Sequence, residues 1–163
     1  MIFCSGLNLE NIKIITELKP DNIKVNMNTK SIKQTATFDA TPAEIYHLIM
    51  DQKKHADFTG SPAIIDSKVN GKFTVFDGYC HGYNIELVKD EKIVQAWHFA
   101  EEGWPDDHFS ICSFRFKKED NNTKLIFLQT GVPENSFKAL SQGWKDYYWG
   151  PMKAYLKRST SSL

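Results

Sequence analysis

A strand followed by two short helices is the first regular pattern along the chain. Residues 32–38 have the composition of a strand. The tetrapeptide Thr41-Pro42-Ala43-Glu44 then supplies a hydroxyl cap, a proline for the first helical position and a glutamate that can complete a capping box. These residues predict a short helix that ends near residue 50, and residues 52–58 predict a second short helix before a cluster of turn residues.

Six strand-like segments separated by polar turns follow the two helices. Asn70-Gly71 lies between the first two segments and is the strongest short-range hairpin signal in the chain. Short strands at such regular intervals predict an antiparallel meander. The segments are residues 63–69, 72–77, 83–88, 93–99, 109–117 and 124–130.

A long amphipathic helix is predicted after Gly131-Val132-Pro133. Apolar residues there recur at three- and four-residue steps over about residues 135–158. An α+β fold, in which a curved antiparallel sheet wraps around this helix, buries the apolar face of each element. Trp144 and Tyr148 are therefore predicted to lie in the core. The apolar face is about 140° wide and contains Phe137, Leu140, Trp144, Tyr147, Tyr148, Met152 and Tyr155.

Gly150-Pro151 interrupts this helical pattern. Proline has no N–H to donate to the carbonyl of Tyr147, and its ring crowds the preceding turn. We therefore predict a kink or a local break near residues 147–151. Trp149 lies outside the apolar face, and two interpretations stay open: its ring covers an edge of the sheet, or it is exposed for a partner protein.

Residues 1–26 differ in pattern from the rest of the chain. Their apolar residues fit neither the helical nor the strand period, and Lys19-Pro20-Asp21 indicates a break. We predict a loosely structured N-terminal extension, with a linker remnant or an added strand as alternatives. Residues 27–163 are predicted to form one domain, because a chain of 163 residues is typical of a single domain.

Charge and cysteine content narrow the classes of function. The 20 basic and 20 acidic residues cancel, so no overall positive field attracts nucleic acid or an anionic membrane, and neither is an expected partner. Cys4, Cys80 and Cys112 are too few and too widely spaced for a disulfide framework or a zinc site. Reduced thiols, and a sequence without an apolar run of about 20 residues, favour a cytoplasmic protein.

No arrangement typical of catalysis is found in the sequence. Cys80 and His81 are neighbours on a predicted strand, where they point to opposite faces and cannot form a thiolate–imidazole pair. Asp106-Asp107-His108 has groups that can bind a cation or transfer a proton, but adjacent acidic residues in a proline-containing loop are more often solvated. No catalytic residue, cofactor or metal is therefore predicted.

Four short motifs occur in a fixed order within about residues 30–157. They are FTVFDG at residues 73–78, WPDDHF at 104–109, GVP at 131–133 and QGWKDYY at 142–148. This ordered set resembles the carboxy-terminal domain of the activator of heat-shock protein 90 ATPase. The resemblance implies a helix-grip fold of the START and birch-pollen-allergen superfamily. It also implies a co-chaperone that binds heat-shock protein 90 and favours its closed, hydrolysing state without supplying the ATPase chemistry.

Full-length eukaryotic members of that family carry a separate amino-terminal domain, which contributes much of the ATPase stimulation. About 26 residues precede the match here, too few for such a domain. Two expectations follow from the sequence. Either the chain binds the chaperone and stimulates it weakly, or it is a stand-alone member of the wider family.

Three functions stay open; the first two have candidate residues, and the third, an enzyme that uses the pocket of the second, is the least favoured. The first is a co-chaperone that binds through exposed residues, and the second is a protein that holds a small apolar ligand between sheet and helix. Alternation places Gln95, Trp97 and Phe99 on one face of a strand, so an inward Gln95 would be a polar group in such a pocket. Candidate contact residues, chosen for loop position and for geometry outside the apolar face, are Trp104, Asp106, Asp107, His108 and Trp149. Candidate pocket residues are Gln95, Trp97, Phe99, Phe114, Phe127, Trp144 and Tyr148.

Overall fold

Seven antiparallel strands form one sheet in the structure, a computed structural model that describes residues 27–161. Strands β2 to β7 follow one another across the sheet, and β1 pairs with the far side of β7. This order confirms the predicted meander; the prediction for residues 1–26 lies outside the described residues. The strands are β1 (Thr29–Phe38), β2 (Ile64–Ile65), β3 (Lys72–Val75), β4 (Cys80–Val88), β5 (Lys92–Phe99), β6 (Ser110–Glu119) and β7 (Asn122–Pro133).

The two predicted short helices are α1 (Pro42–Met50) and α2 (Gln52–Thr59). The capping box at the start of α1 is confirmed. The Glu44 N–H donates to the Thr41 hydroxyl at 3.3 Å, and the Thr41 N–H donates to the Glu44 carboxylate at 2.7 Å. Helix α2 ends at Gly60, whose φ of 68° lies in the left-handed region that favours glycine.

One predicted strand is much shorter in the structure. Of residues 63–69 only Ile64–Ile65 belongs to the sheet, so the prediction was wrong for the rest. The buried side-chain amide of Asn84 donates to the carbonyls of Asp66 and Lys68, at 2.8 Å each. Because these bonds curve the segment into a loop, it cannot continue the ladder with β3.

The C-terminal helix has three consecutive parts: α3 (Glu134–Trp144), a π-helical segment (Lys145–Trp149) and α4 (Gly150–Thr160). The Gly150 N–H donates to the carbonyl of Lys145, five residues back, immediately before the proline that has no N–H. This confirms the predicted local break. A π-helical turn advances each residue by less than the 100° of an α-helix. Trp149 therefore turns toward the sheet and Tyr147 turns away.

The exposure of these two aromatic residues corrects the predicted apolar face. Tyr147 is 68% exposed, so the prediction that it lies on the buried face was wrong. Trp144 and Tyr148 are 5% and 1% exposed, which confirms that they lie in the core. The Trp144 ring centroid lies 4.5 Å from that of Phe127 and 5.2 Å from that of Trp97, on the concave face of the sheet. The predicted α+β helix-grip architecture is therefore confirmed.

Candidate functional site

Three of the buried tryptophans are each held in one orientation by a glutamine. The indole N–H of Trp144 donates to the Gln129 side chain at 2.7 Å, and that of Trp149 donates to Gln34 at 2.7 Å. Buried indole N–H groups need such partners, because an unpaired donor in the core is costly. These two rings of the C-terminal helix are therefore fixed by polar contacts as well as by packing.

Gln95 is the third of these glutamines. It is 2% exposed and accepts from the indole N–H of Trp97 at 3.0 Å. Its own side-chain amide donates to the side-chain oxygen Oδ1 of Asn84 at 2.8 Å. The inward orientation predicted for Gln95 is confirmed, but its polar groups are occupied within the sheet and lie outside the cleft described next.

A cleft of about 440 Å³ lies between the C-terminal helix and the sheet. Residues 139–148 of the helix form one wall, and residues from 76–80 and 97–101 form the other. Of the candidate pocket residues, Trp97, Phe99, Trp144 and Tyr148 line it, whereas Gln95, Phe114 and Phe127 do not. Those three are buried deeper in the core, away from this cleft. Sequence reasoning missed the other lining residues, Phe76, Tyr79, Cys80, Glu101, Ala139, Leu140, Gly143 and Tyr147.

Glu101 is the one acidic residue among those that line the cleft. The Tyr79 hydroxyl donates a hydrogen bond to its carboxylate. Burial, together with this carboxylate, raises the pKa of Tyr79, so the phenol stays protonated at neutral pH and remains a donor. Burial also raises the pKa of the Cys80 thiol, which therefore lacks the thiolate character that a nucleophile needs. The cleft thus combines apolar aromatic walls with one carboxylate.

A buried histidine lies behind Tyr148. His55 is 1% exposed, and its Nε2 lies 3.0 Å from the Tyr148 hydroxyl. Burial lowers the pKa of His55 to about 4, so the ring is neutral at physiological pH. Its Nδ1 has no hydrogen-bond partner among the residues that the structure describes. The pair orients Tyr148 at the inner wall of the cleft.

The loop of residues 100–109 holds four of the five candidate contact residues. Trp104 is 5% exposed, because its ring packs 5.0 Å from that of Phe99 and its indole N–H donates to the His108 carbonyl at 2.9 Å. The His108 ring lies 2.6 Å from the carbonyl of Gly131. These contacts fix the loop on the sheet and leave Asp106 and Asp107 exposed at its tip.

Two of the candidate contact residues are buried: the exposure predicted for Trp104 was wrong, and one of the two open interpretations of Trp149 is excluded. Trp104 is buried as described, and Trp149 is 5% exposed, stacked on Trp144 at 5.5 Å between ring centroids. The alternative interpretation of Trp149 is the correct one, since its bond to Gln34 places it over the edge strand β1. Within residues 27–161, no group of three or more His, Cys, Asp or Glu side chains has a geometry suited to a metal ion.

Comparison with known sequences gives a consistent result. A model of the family described as Activator of Hsp90 ATPase homolog 1-like protein matches residues 39–157. The human activator of 90 kDa heat shock protein ATPase homolog 1 is 30% identical over 138 residues, which are 85% of this chain and 40% of the human protein. The chain therefore spans about two fifths of the length of this relative.

Two solved structures share the fold. PFC0360w, described as an HSP90 activator from Plasmodium falciparum, has a TM-score of 0.73 at 25% identity, and the match covers 78% of this chain and 96% of that one. CalU16 from Micromonospora echinospora has a TM-score of 0.63 at 18% identity, over 82% and 83% of the two chains. The second likeness concerns the fold alone. As for membranes, no helix of the described part is long and apolar enough to cross one.

Proposed function

This chain belongs to the Activator of Hsp90 ATPase homolog 1-like family, and on that premise we propose that it is a co-chaperone that binds heat-shock protein 90 and modulates its ATPase cycle. The observation that carries the proposal is the family match over residues 39–157. The likeness to the Plasmodium activator, which covers 96% of that chain, supports it. Activators of this kind act on a conformational equilibrium, so the chain must bind the closed chaperone more tightly than the open one.

We place the contact with the chaperone at the tip of the loop of residues 100–109. Asp106 and Asp107 are exposed there, while Trp104 and His108 hold the loop on the sheet. A loop that is already ordered loses little conformational entropy on binding, which favours affinity. Two adjacent carboxylates on a fixed loop suit a basic surface on the partner, where charge complementarity speeds and orients association.

The test compares two charge-reversal variants in binding to purified heat-shock protein 90 from the same organism. The double variant Asp106→Lys with Asp107→Lys is expected to bind the chaperone roughly tenfold more weakly or worse. This estimate takes the affinity lost per reversed surface charge as somewhat less than about tenfold. The matched control, Asp39→Lys with Asp57→Lys, reverses two exposed carboxylates elsewhere and should leave the affinity unchanged. Equal loss in both variants would remove the loop from the proposal, and wild-type protein that does not bind would contradict the function itself.

The cleft favours a second candidate function, the binding of a small aromatic or apolar cation. Its volume of about 440 Å³ suits a small ligand, and its walls are largely aromatic. A cation gains from aromatic ring faces and from the Glu101 carboxylate, whereas a neutral molecule of the same shape gains from burial only. Benzyltrimethylammonium and its neutral isostere neopentylbenzene distinguish these cases by tryptophan fluorescence. Preference for the cation that Glu101→Gln abolishes would support this function, and equal or absent binding would contradict it.

A further inference from the structure

Strand β1 has an open edge. Among the described residues its one sheet neighbour is β7, which pairs with it from Thr29 to Phe38. In an antiparallel pair, alternate residues turn their N–H and C=O groups away from the neighbour. Within residues 27–161, none of the backbone hydrogen bonds outside the helices and the sheet ladder involves residues 29–38. Among the described residues, the outward row of donors and acceptors on β1 therefore has no backbone partner, and such a row can pair with another extended chain.

A groove of about 470 Å³ runs beside this edge. Residues 33–36 of β1 form one wall, and the π-helical segment and the start of α4 form the other. Gln34 joins β1 to the C-terminal helix: its side chain accepts from the indole N–H of Trp149 at 2.7 Å and donates to the carbonyl of Ser141 in α3 at 2.6 Å. Because these bonds hold helix and strand at a fixed separation, the groove exists before any ligand binds.

Three lysines surround the groove: Lys33 on β1, Lys145 on the π-helical segment and Lys153 on α4. All three are exposed. The ion pairs that the described part of the chain contains use other lysines, namely Lys30, Lys68, Lys92 and Lys124. The three groove lysines therefore form a local cluster of positive charge on a chain whose formal net charge is zero.

We propose that the β1 edge and its groove bind an extended acidic segment of a partner protein, which adds to the sheet beside β1. Backbone pairing with β1 supplies affinity, as in other cases of strand addition, and the three lysines select acidic side chains. Nucleic acid fits less well, because the tryptophan of the groove is 5% exposed and offers no face on which a base can stack. The groove is lined by β1, whereas the cleft is lined by residues near β3, β4 and β5, and the two share no lining residue. The groove also includes no residue of the loop of residues 100–109.

The test uses fluorescence anisotropy with a labelled peptide of ten residues, the length of β1, in which Glu and Val alternate. Two control peptides separate charge from backbone pairing: one has Lys in place of every Glu, and the other has an N-methyl group on every backbone amide, which removes all N–H donors. The Glu/Val peptide is expected to bind, more weakly as salt is added, and both control peptides are expected to fail. Equal binding of the N-methylated peptide would overturn strand addition, since only charge would then be recognised.

Two triple variants locate the site. Lys33→Glu with Lys145→Glu and Lys153→Glu should weaken binding of the Glu/Val peptide roughly tenfold or more, given three reversed surface charges. The control has the same change of net charge at exposed positions outside the groove, and its affinity should remain that of the wild type. Equal weakening in both variants, no binding by the wild type, or displacement of the peptide by a single-stranded oligothymidine would each overturn the proposal. The control substitutions are Lys89→Glu, Lys117→Glu and Lys118→Glu.

Discussion

Replacing Trp144 with alanine tests whether the C-terminal helix is held by the aromatic core. The ring is 5% exposed and contacts Phe127, Trp97 and Trp149, with centroid distances of 4.5, 5.2 and 5.5 Å. Removing a buried ring of this size costs about 3–5 kcal/mol. The substitution also leaves the Gln129 oxygen without its donor at 2.7 Å, which adds about 1–3 kcal/mol. Since whole domains have unfolding free energies of about 5–15 kcal/mol, this variant is expected to be close to unfolding.

A milder substitution separates packing from hydrogen bonding. Trp144→Phe retains an aromatic ring but removes the indole N–H, so much of its cost should come from the unpaired Gln129 oxygen. If that is correct, Gln129→Leu should be less harmful in the Trp144→Phe background than in the wild type, with a coupling energy of about 1 kcal/mol. An additive result would show that the hydrogen bond contributes little.

The assay is urea unfolding followed by circular dichroism, which does not depend on the tryptophan that is removed. The matched control is Tyr147→Ala, three residues along the same helix but 68% exposed, which should change the unfolding free energy by about 0.5 kcal/mol or less. The reasoning would be refuted if Trp144→Ala lost less than about 1 kcal/mol, or if Tyr147→Ala lost as much as Trp144→Ala.

Three further predictions concern other parts of the fold. Unfolded His55 binds a proton near pH 6.5, whereas the folded ring does so only near pH 4. The free energy of unfolding should therefore fall by up to about 3 kcal/mol as pH drops through this window, and His55→Gln should flatten that dependence in urea titrations. Thr41→Ala removes the capping box of α1 and should cost about 1 kcal/mol by thermal unfolding, and an unchanged midpoint would refute the cap's contribution. Gly82→Ala should prevent normal folding as judged by circular dichroism, because the added Cβ would lie 1.8 Å from the Ala96 carbonyl oxygen. The control Gly143→Ala should fold normally, because the nearest atom to its Cβ lies at 3.8 Å.

Local patterns were sufficient to predict most of the elements. The capping box at Thr41 and the change of period after Pro133 are encoded in neighbouring residues, so they could be read without tertiary information. The strand predicted for residues 63–69 was mostly wrong because the conformation of this segment depends on the side chain of Asn84, which is distant in sequence.

The C-terminal helix shows how a single backbone irregularity changes a prediction. Gly150-Pro151 indicated a break, but not that the break would widen the preceding turn. Continuing the α-helical 100° step through residues 145–149 placed Tyr147 on the apolar face and Trp149 beside it, whereas Tyr147 is exposed and Trp149 is buried. Exposure of Trp104 was predicted wrongly for a different reason. Its loop position was taken to mean exposure, but the ring packs on Phe99 and the indole N–H donates to the His108 carbonyl.

The cleft could be predicted only in part. Alternation along β5 correctly placed Trp97 and Phe99 on the inner face. Tyr79 and Glu101 are 22 residues apart and come together because Cys80 pairs with Phe99 in the sheet, a register that periodicity alone does not specify. The same register brings Asn84 opposite Gln95. The Gln95 amide, expected in the pocket, therefore donates its hydrogen bond to Asn84.

The most direct test of the proposed function is ATP hydrolysis by purified heat-shock protein 90 from the same organism, titrated with this chain while binding is measured in the same samples. The account predicts saturable binding and a change in hydrolysis rate that saturates at the same concentration, because an activator acts through preferential binding to one conformation of the chaperone. A chain that neither binds the chaperone nor changes its rate, while remaining folded by circular dichroism, would contradict the account.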